Sequence, residues 1–192
     1  KKPIVVLSNN DGCIIARSNE AKDLGILMGA PYYQNKAMLE KNNVVVFSSN
    51  YPFYADISHR VMQSLRLFVP EMEVYSIDEA FLRLDCFHPD SLFDMMLNIR
   101  KKINQWTGIP TSCGIAPTKT LAKIANHIAK KHTTSGVFNM QDKTIQNKIM
   151  SKFPIESLWG IGHGRSKKLN DLSIYTALQL KNANPKWIRQ HL

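Results

Sequence analysis

Two adjacent carboxylates, Asp78 and Glu79, are the residues whose type and spacing are most suggestive of chemistry. The strand-like runs 73–75 and 81–84 on either side predict a β-hairpin with both acids at its bend. On a regular strand their side chains would point to opposite faces, but at a bend both can reach one hard cation such as Mg²⁺. Mg²⁺ held by paired carboxylates supports phosphoryl and nucleotidyl transfer. Considered alone, the segment is more commonly a polar hairpin tip with solvated acids.

The charge of the chain is concentrated in one half. The chain has 25 Lys and Arg against 15 Asp and Glu, a net charge of +10. Residues 1–99 contain 9 basic and 12 acidic side chains, whereas residues 100–192 contain 16 basic and 3 acidic ones. Such a one-sided surplus favours nucleic acid as a partner. A solvated basic surface is the plainer interpretation. An anionic membrane fits less well, because the basic residues do not form one long amphipathic helix.

Composition and cysteine spacing argue against a membrane-spanning protein and against a zinc protein. The hydrophobic content of 44% is that of an ordinary globular protein, and the longest aliphatic runs, 4–7 and 44–46, are far too short to cross a bilayer. Cys13, Cys86 and Cys113 lack CxxC spacing, which favours structural thiols in a reducing cytoplasm over a zinc site. The sequence begins without Met and runs directly into a strand, so we expect it to be part of a longer protein.

The elements that must position these residues form three regions. Residues 1–52 alternate short strands with two short helices. Residues 53–137 follow the order helix, two strands, helix, strand, helix, strand, which predicts an α+β arrangement on a mostly antiparallel sheet. From residue 139 onward the pattern is wholly helical, with breaks at Gly, Asn and Pro.

The helix predicted over 118–132 has a basic face. Lys119, Lys123 and Lys130 fall within about 40° of one another around the helix axis, opposite an apolar face. Such a helix can bury its apolar side on a sheet and offer a row of ammonium groups to phosphates. An ordinary solvated helix face remains the alternative.

A second candidate for nucleic-acid binding is the segment Gly160-Ile161-Gly162, followed by Arg165, Lys167 and Lys168. It resembles the hairpin of a helix–hairpin–helix module. Glycines let the backbone approach a phosphate closely, and the N–H groups at the following helix start bind it without reading bases. A Gly-rich turn between two helices is the alternative.

Taken together, several segments resemble successive motifs of the Y-family translesion DNA polymerases. They are Ser76-Ile77-Asp78-Glu79-Ala80-Phe81, residues 114–123 and Gly160-Ile161-Gly162. The segments 8–13 and 47–51 are similar to those of the UmuC-type catalytic subunit of bacterial DNA polymerase V. The resemblance extends over essentially all 192 residues.

The resemblance implies three domains. They are a small α/β fingers domain at 1–51, a palm at 52–138 without its N-terminal strand, and a thumb at 139–192. The palm of this family is a ferredoxin-like antiparallel sheet covered by helices, and the thumb is all-helical with a helix–hairpin–helix. The thumb is expected to be truncated at its C-terminal end.

The resemblance also assigns roles to individual residues. Asp78 and Glu79 match the palm pair that holds catalytic Mg²⁺, with two ions in a complete enzyme, and Lys130 matches a lysine that reaches the incoming triphosphate. Asn19 and Lys22 fall where many relatives carry a Tyr and an Arg that touch the triphosphate. Lys22 keeps the charge but lacks the bidentate fork of Arg.

DNA contacts follow from the same resemblance. Gly160, Ile161 and Gly162 match the thumb element that grips the duplex backbone. The basic side chains expected to accompany them on DNA are Arg165, Lys167, Lys168, Lys119 and Lys123.

The function implied is error-prone, template-directed DNA synthesis past lesions in the SOS response, with primer–template DNA and a deoxynucleoside triphosphate as substrates. The implied protein partners are a processed UmuD dimer, RecA and the sliding clamp. No membrane contact is implied. Family members carry a first metal-binding Asp on a strand that would precede residue 1, and a C-terminal little-finger domain. Without them we expect the 192 residues to be inactive alone. A non-catalytic duplex-DNA-binding module is the alternative, and a nucleotidyl cyclase is less favoured because it needs no duplex grip.

Overall fold

The computed structural model describes residues 2–191 and has two compact units, 1–59 and 60–192. The division falls inside a helix that begins near residue 51. The fold is a mixture of helices and short strands, which confirms the predicted α+β class. The finer boundaries at 51/52 and 138/139 remain predictions.

The first unit is a three-stranded sheet with two helices. β1 (Ile4–Leu7) pairs antiparallel with β2 (Ile14–Arg17) and parallel with β3 (Val45–Phe47). Helices α1 (Asn19–Asp23) and α2 (Tyr32–Lys41) lie in the same unit, as does the N-terminal part of the helix that begins near residue 51. Its core consists of buried aliphatic side chains from these elements, namely Val5, Leu7, Ile14, Ala21, Ile26 and Leu39.

The second unit contains the remaining elements. The first of them are α3 (Tyr51–Arg66), whose N-terminal part lies in the first unit, β4 (Met72–Val74), β5 (Ala80–Leu82), α4 (Leu92–Thr107), β6 (Cys113–Ile115), α5 (Lys119–His132) and β7 (Val137–Asn139). Helix α4 buries its apolar residues at intervals of three and four, as an amphipathic helix on a sheet does. Thr118 starts α5 by accepting a hydrogen bond from the backbone N–H of Leu121.

The strands of this region differ from the expected single, mostly antiparallel sheet. β4 pairs antiparallel with β5, but β6 pairs parallel with β7, and within residues 2–191 the two pairs are separate two-stranded sheets. The reason lies in the connections. A tight turn joins β4 to β5, whereas the whole of α5 joins β6 to β7, and a helical crossover returns the chain in the same direction.

Within the described residues, four α-helices follow, in agreement with the helical pattern of the sequence. They are α6 (Lys143–Met150), α7 (His163–Asp171), α8 (Ala177–Asn182) and α9 (Pro185–His191). Thr176 and Gln179 form a reciprocal capping box at the start of α8. Among the helices of residues 2–191, none combines the length and apolar character needed to cross a bilayer.

The three cysteines are free thiols. Burial raises the pKa of the Cys113 thiol to about 12. Because the thiolate is the reactive and metal-binding form, Cys113 is inert at neutral pH, in agreement with a structural role.

Candidate functional site

The predicted carboxylate hairpin is present, with its bend between β4 and β5. The backbone N–H groups of Tyr75 and Ser76 both donate to the carbonyl of Glu79, at 3.0 and 3.1 Å, and close the turn. The Ser76 hydroxyl donates to Asp78 Oδ1 at 2.7 Å. Asp78 is exposed and Glu79 is partly buried. The bend therefore presents two neighbouring carboxylates, as the sequence predicts.

Glu79 is held by a lysine of α5. Lys123 Nζ donates to both carboxylate oxygens of Glu79, at 2.6 and 2.8 Å. The side chains are 25% and 34% exposed, so water screens this pair less than an ordinary surface ion pair. Lys123 thus neutralises Glu79 and fixes its position.

A second ion pair joins the same two elements one helical turn earlier. Lys119 Nζ lies 2.5 Å from Glu73 Oε2, and this pair is about half exposed. Two of the three lysines on the predicted basic face of α5 are therefore engaged by carboxylates of the hairpin. Lys130 is exposed in the last turn of the helix, about 10 Å further along the axis than Lys123.

Asp78 differs from the other acids of the segment 71–85. Arg83 binds both Glu71 and Asp85, each at 2.9 Å, and the guanidinium lowers the pKa of the Asp85 carboxyl. Glu73 and Glu79 have the lysine partners described above. Within the described part of the chain, Asp78 is the one acid of this segment that makes no ion pair. Its negative charge is therefore available to a cation from outside the chain.

An aromatic cluster lies beneath the lysines. Tyr75, Phe81 and Trp159 contact one another, with ring centroids 5.4 to 5.7 Å apart. The indole Nε1–H of Trp159 donates to the Tyr75 hydroxyl at 3.0 Å. Lys119 lies over Phe81 at 5.3 Å and Lys123 over Tyr75 at 5.4 Å, both within cation–π range. The cluster links the hairpin to the segment that leads into α7.

The glycine segment forms a turn directly after Trp159. Gly160 has φ +88°, a left-handed conformation that favours glycine, and Gly162 is the cap residue immediately before α7. Arg165 donates to the carbonyl of Gly160 at 3.1 Å. Ile161 packs against a small core of buried residues, Ile155, Leu169 and Ile174.

The charged residues of α7 face outward. Lys167 and Lys168 are exposed, as Arg165 is, while their neighbours Ser166 and Leu169 are buried. The structure thus offers an exposed glycine turn with a basic helix start, as the helix–hairpin–helix prediction requires.

The two remaining candidates lie in the first unit. Lys22 Nζ donates to Asn19 Oδ1 at 3.2 Å, so the two side chains form one small polar site on α1. Apart from Lys130, the structure therefore brings the candidate residues together in three groups. One group is the hairpin with Lys119 and Lys123, another is the glycine turn with α7, and the third is α1.

The residues at the hairpin fit a divalent cation only in part. Carboxylate oxygens are the ligands that hard cations such as Mg²⁺ prefer, and no Lys, Arg or His of the described residues forms an ion pair with Asp78. However, no group of three or more His, Cys, Asp or Glu side chains within residues 2–191 could hold a metal. A cation at this hairpin would take its other ligands from outside residues 2–191, from water or from a bound phosphate.

Sequence reasoning did not assign roles to Tyr75, Phe81, Trp159 or Glu73. One signal was available. Glu73 and Glu79 are six residues apart, Lys119 and Lys123 are four apart, and the negative charge of the first pair complements the positive charge of the second. The aromatic cluster had no comparable signal, because Tyr75 and Trp159 are 84 residues apart in sequence.

Comparison with known families identifies the relatives of the chain. The model of a family described as IMS, the impB/mucB/samB family, matches residues 1–127. The chain is 47% identical to the protein UmuC of Salmonella typhimurium strain LT2, over 99% of this chain and 46% of that protein. It is 31% identical to DNA polymerase IV of Bacillus anthracis, over 98% of this chain and 45% of that protein. The chain thus spans about half the length of the curated relatives it matches.

The fold of the chain also matches solved structures. The fold matches an insertion ternary complex of Dbh DNA polymerase with a TM-score of 0.82 and 26% identity, over 98% of this chain and 56% of that chain. It matches DinB of Sulfolobus solfataricus with a TM-score of 0.76 and 27% identity, over 99% of this chain and 55% of that chain.

Proposed function

Because the chain belongs to the impB/mucB/samB family of Y-family DNA polymerases, we propose that it supplies the catalytic carboxylates and a duplex grip for error-prone DNA synthesis past lesions. The reaction is template-directed transfer of a deoxynucleoside monophosphate to a primer 3′-hydroxyl. The observation that carries the proposal is the hairpin with two carboxylates, of which Asp78 makes no ion pair within residues 2–191.

In this proposal the hairpin binds a divalent metal, Mg²⁺ in the cell, and Asp78 and Glu79 are its protein ligands. Such a metal lowers the pKa of an attacking hydroxyl and neutralises charge on a leaving pyrophosphate. Lys123 already binds Glu79, so it orients this carboxylate and limits the repulsion between the two acids. A complete enzyme is proposed to use two metal ions.

The substrate contacts are proposals of the same kind. Lys130, exposed at the end of α5, is suited to the triphosphate of an incoming nucleotide, and Asn19 and Lys22 are assigned to the same ligand by family resemblance. Lys119 and Lys123 were expected on DNA. Both are ion-paired in the structure, so we propose that they also hold the hairpin, and their contact with DNA remains a prediction. A UmuD dimer, RecA and the sliding clamp remain partners expected from the resemblance alone.

Metal binding tests the hairpin assignment. We expect the 192-residue chain to bind Mn²⁺ or Mg²⁺ weakly, because two carboxylates give few charged ligands and Mg²⁺ dehydrates reluctantly. Asp78→Ala should abolish the calorimetric signal, because it removes the hairpin carboxylate that makes no ion pair with the described residues. Glu73→Ala is the matched control, since it removes an acid of the same hairpin that is paired with a lysine of the same helix. Binding that survives Asp78→Ala would place the metal elsewhere.

Salt dependence tests the duplex grip. Binding of duplex DNA should weaken steeply with salt and show no sequence preference, because phosphates are contacted. Replacing Lys167 and Lys168 together with Ala should flatten the slope of log K against log salt by about one to two units. The control is the double substitution of Lys143 and Lys148, which are exposed on α6. An unchanged slope in the Lys167/Lys168 variant, or an equal change in the control, would contradict the assignment.

The alternative is a duplex-binding module without chemistry. The basic C-terminal half alone would support it. It predicts salt-dependent DNA binding without any metal dependence on Asp78, so the two titrations distinguish the alternatives.

A further inference from the structure

Trp159 makes a set of contacts that hydrophobic burial alone does not explain. It is partly buried, and its ring meets Tyr75 nearly edge-on, at 85°, which is a favourable geometry for an aromatic pair. Its one polar atom, Nε1, donates to the Tyr75 hydroxyl, so the contact has a defined direction as well as an apolar component. Trp159 also precedes Gly160, whose left-handed backbone sets the exit of the chain into α7.

Tyr75 is also a structural part of the carboxylate hairpin. Its backbone N–H donates to the carbonyl of Glu79, so the main chain of Tyr75 fixes the residue that carries the carboxylate. Its ring lies beneath Lys123, the lysine that binds that carboxylate. A displacement of Tyr75 would therefore move both Glu79 and the cation that holds it.

We propose that Trp159 is a positioning residue that acts through Tyr75 to hold the Asp78–Glu79 hairpin at a fixed distance from the glycine turn. The contacts run from the turn at Gly160, through Trp159 and Tyr75, to Glu79 and Lys123, and every step is a hydrogen bond, a ring contact or a chain neighbour. Its consequence for function rests on the proposed polymerase activity. A duplex gripped at residues 160–162 is thereby held in register with the carboxylates, and the two binding events influence each other.

Hydrogen exchange tests the mechanical part of this proposal without any ligand. The probes are the amides of Tyr75 and Ser76, which donate to Glu79. Tyr75→Phe removes only the acceptor of the indole and should speed their exchange about threefold, while Trp159→Ala removes the ring as well and should speed it more than about tenfold. Trp106→Ala is the control, because it removes a tryptophan that stacks on Phe68 in the same unit.

The exchange experiment has an internal control for the fold and two outcomes that would contradict the proposal. The amide of Cys113, which bonds to Gly136, should be unchanged in Tyr75→Phe, showing that the fold is retained. Exchange at Tyr75 and Ser76 that is unaltered in both Tyr75→Phe and Trp159→Ala would overturn the proposal. An equal acceleration in Trp106→Ala would also overturn it, by showing general loosening.

Coupled binding tests the functional part. Mn²⁺ is titrated into the chain with and without saturating duplex DNA, and we expect the duplex to change the Mn²⁺ affinity at least about fivefold. In Trp159→Ala this change should fall below about twofold, whereas Trp106→Ala should retain it. Full coupling in Trp159→Ala would overturn the proposal. If the unaltered chain binds neither Mn²⁺ nor duplex, the proposed function fails instead, and the exchange experiment alone decides whether Trp159 positions the hairpin.

Discussion

Replacing Asp78 or Glu79 with alanine is expected to reduce Mg²⁺-dependent primer extension by at least about 10³-fold. The assay requires a full-length context, because the chain spans 46% of its relative in Salmonella typhimurium. A chimera in which these 192 residues replace the matching segment of that UmuC provides it. The expected loss is large because, in the proposed function, each carboxylate holds a metal that stabilises charge developing in the transition state. No other acid of the segment 71–85 is arranged to substitute for Asp78, since the rest are ion-paired within residues 2–191.

Two further variants test whether the large loss of activity is specific to the two carboxylates. Glu73→Ala breaks an ion pair between the same elements and should leave the rate within a few-fold, because exposed pairs contribute little. Lys130→Ala should lower the rate about 10²-fold, since it removes one proposed donor to the triphosphate and leaves both carboxylates. An active chimera whose Asp78→Ala and Glu79→Ala forms extend primers at nearly full rate would refute the catalytic assignment.

The location of the carboxylates could be predicted from the sequence because it depends on local rules. Two short β-prone runs around a polar bend specify a hairpin, and the structure pairs Glu73 with Phe81 across it. The helix predicted over 118–132 is found at Lys119–His132, with Thr118 as its cap, because its periodicity and capping residue are both written locally.

The environment of the carboxylates could not be predicted in the same way. The ion pair between Glu79 and Lys123 joins residues 44 apart in sequence, and the Trp159–Tyr75 hydrogen bond joins residues 84 apart. Such contacts depend on how α5 packs on the strands, which periodicity does not determine. The basic face of α5 was therefore predicted as a phosphate-binding row, whereas two of its lysines contact carboxylates.

The direction of the strand pairs illustrates the same limit. The order of helices and strands was predicted correctly, but not that β6 and β7 would run parallel in a sheet separate from β4 and β5. In this β6–α5–β7 unit the helix must pack closely on its own strands. The position that permits this close packing is Gly114, in the middle of β6.

We expect Gly114→Ala to reduce the free energy of unfolding by about 3 kcal/mol or more. A Cβ at this position would lie under 3.0 Å from backbone atoms of Ala122, Ala125 and Asn126. These atoms belong to the helix α5 and not to flexible side-chain ends, so the clash can be relieved only by moving α5 away from β6. Such a movement would also shift Lys119 and Lys123, the two lysines that hold the hairpin carboxylates. Urea unfolding followed by far-ultraviolet circular dichroism measures the loss.

The matched control is Gly164→Ala in α7, where a Cβ would meet nothing within 4 Å. Because alanine is a better helix former than glycine, this variant should be as stable as the parent or more stable by up to about 1 kcal/mol. A loss of stability in Gly114→Ala together with unchanged or increased stability in Gly164→Ala would show that the loss is due to the steric clash. A general effect of removing glycine would not give this difference. A Gly114→Ala variant within about 1 kcal/mol of the parent would contradict the close packing of α5 on β6. The same result would also contradict the argument that this packing sets the position of Lys123 relative to Glu79.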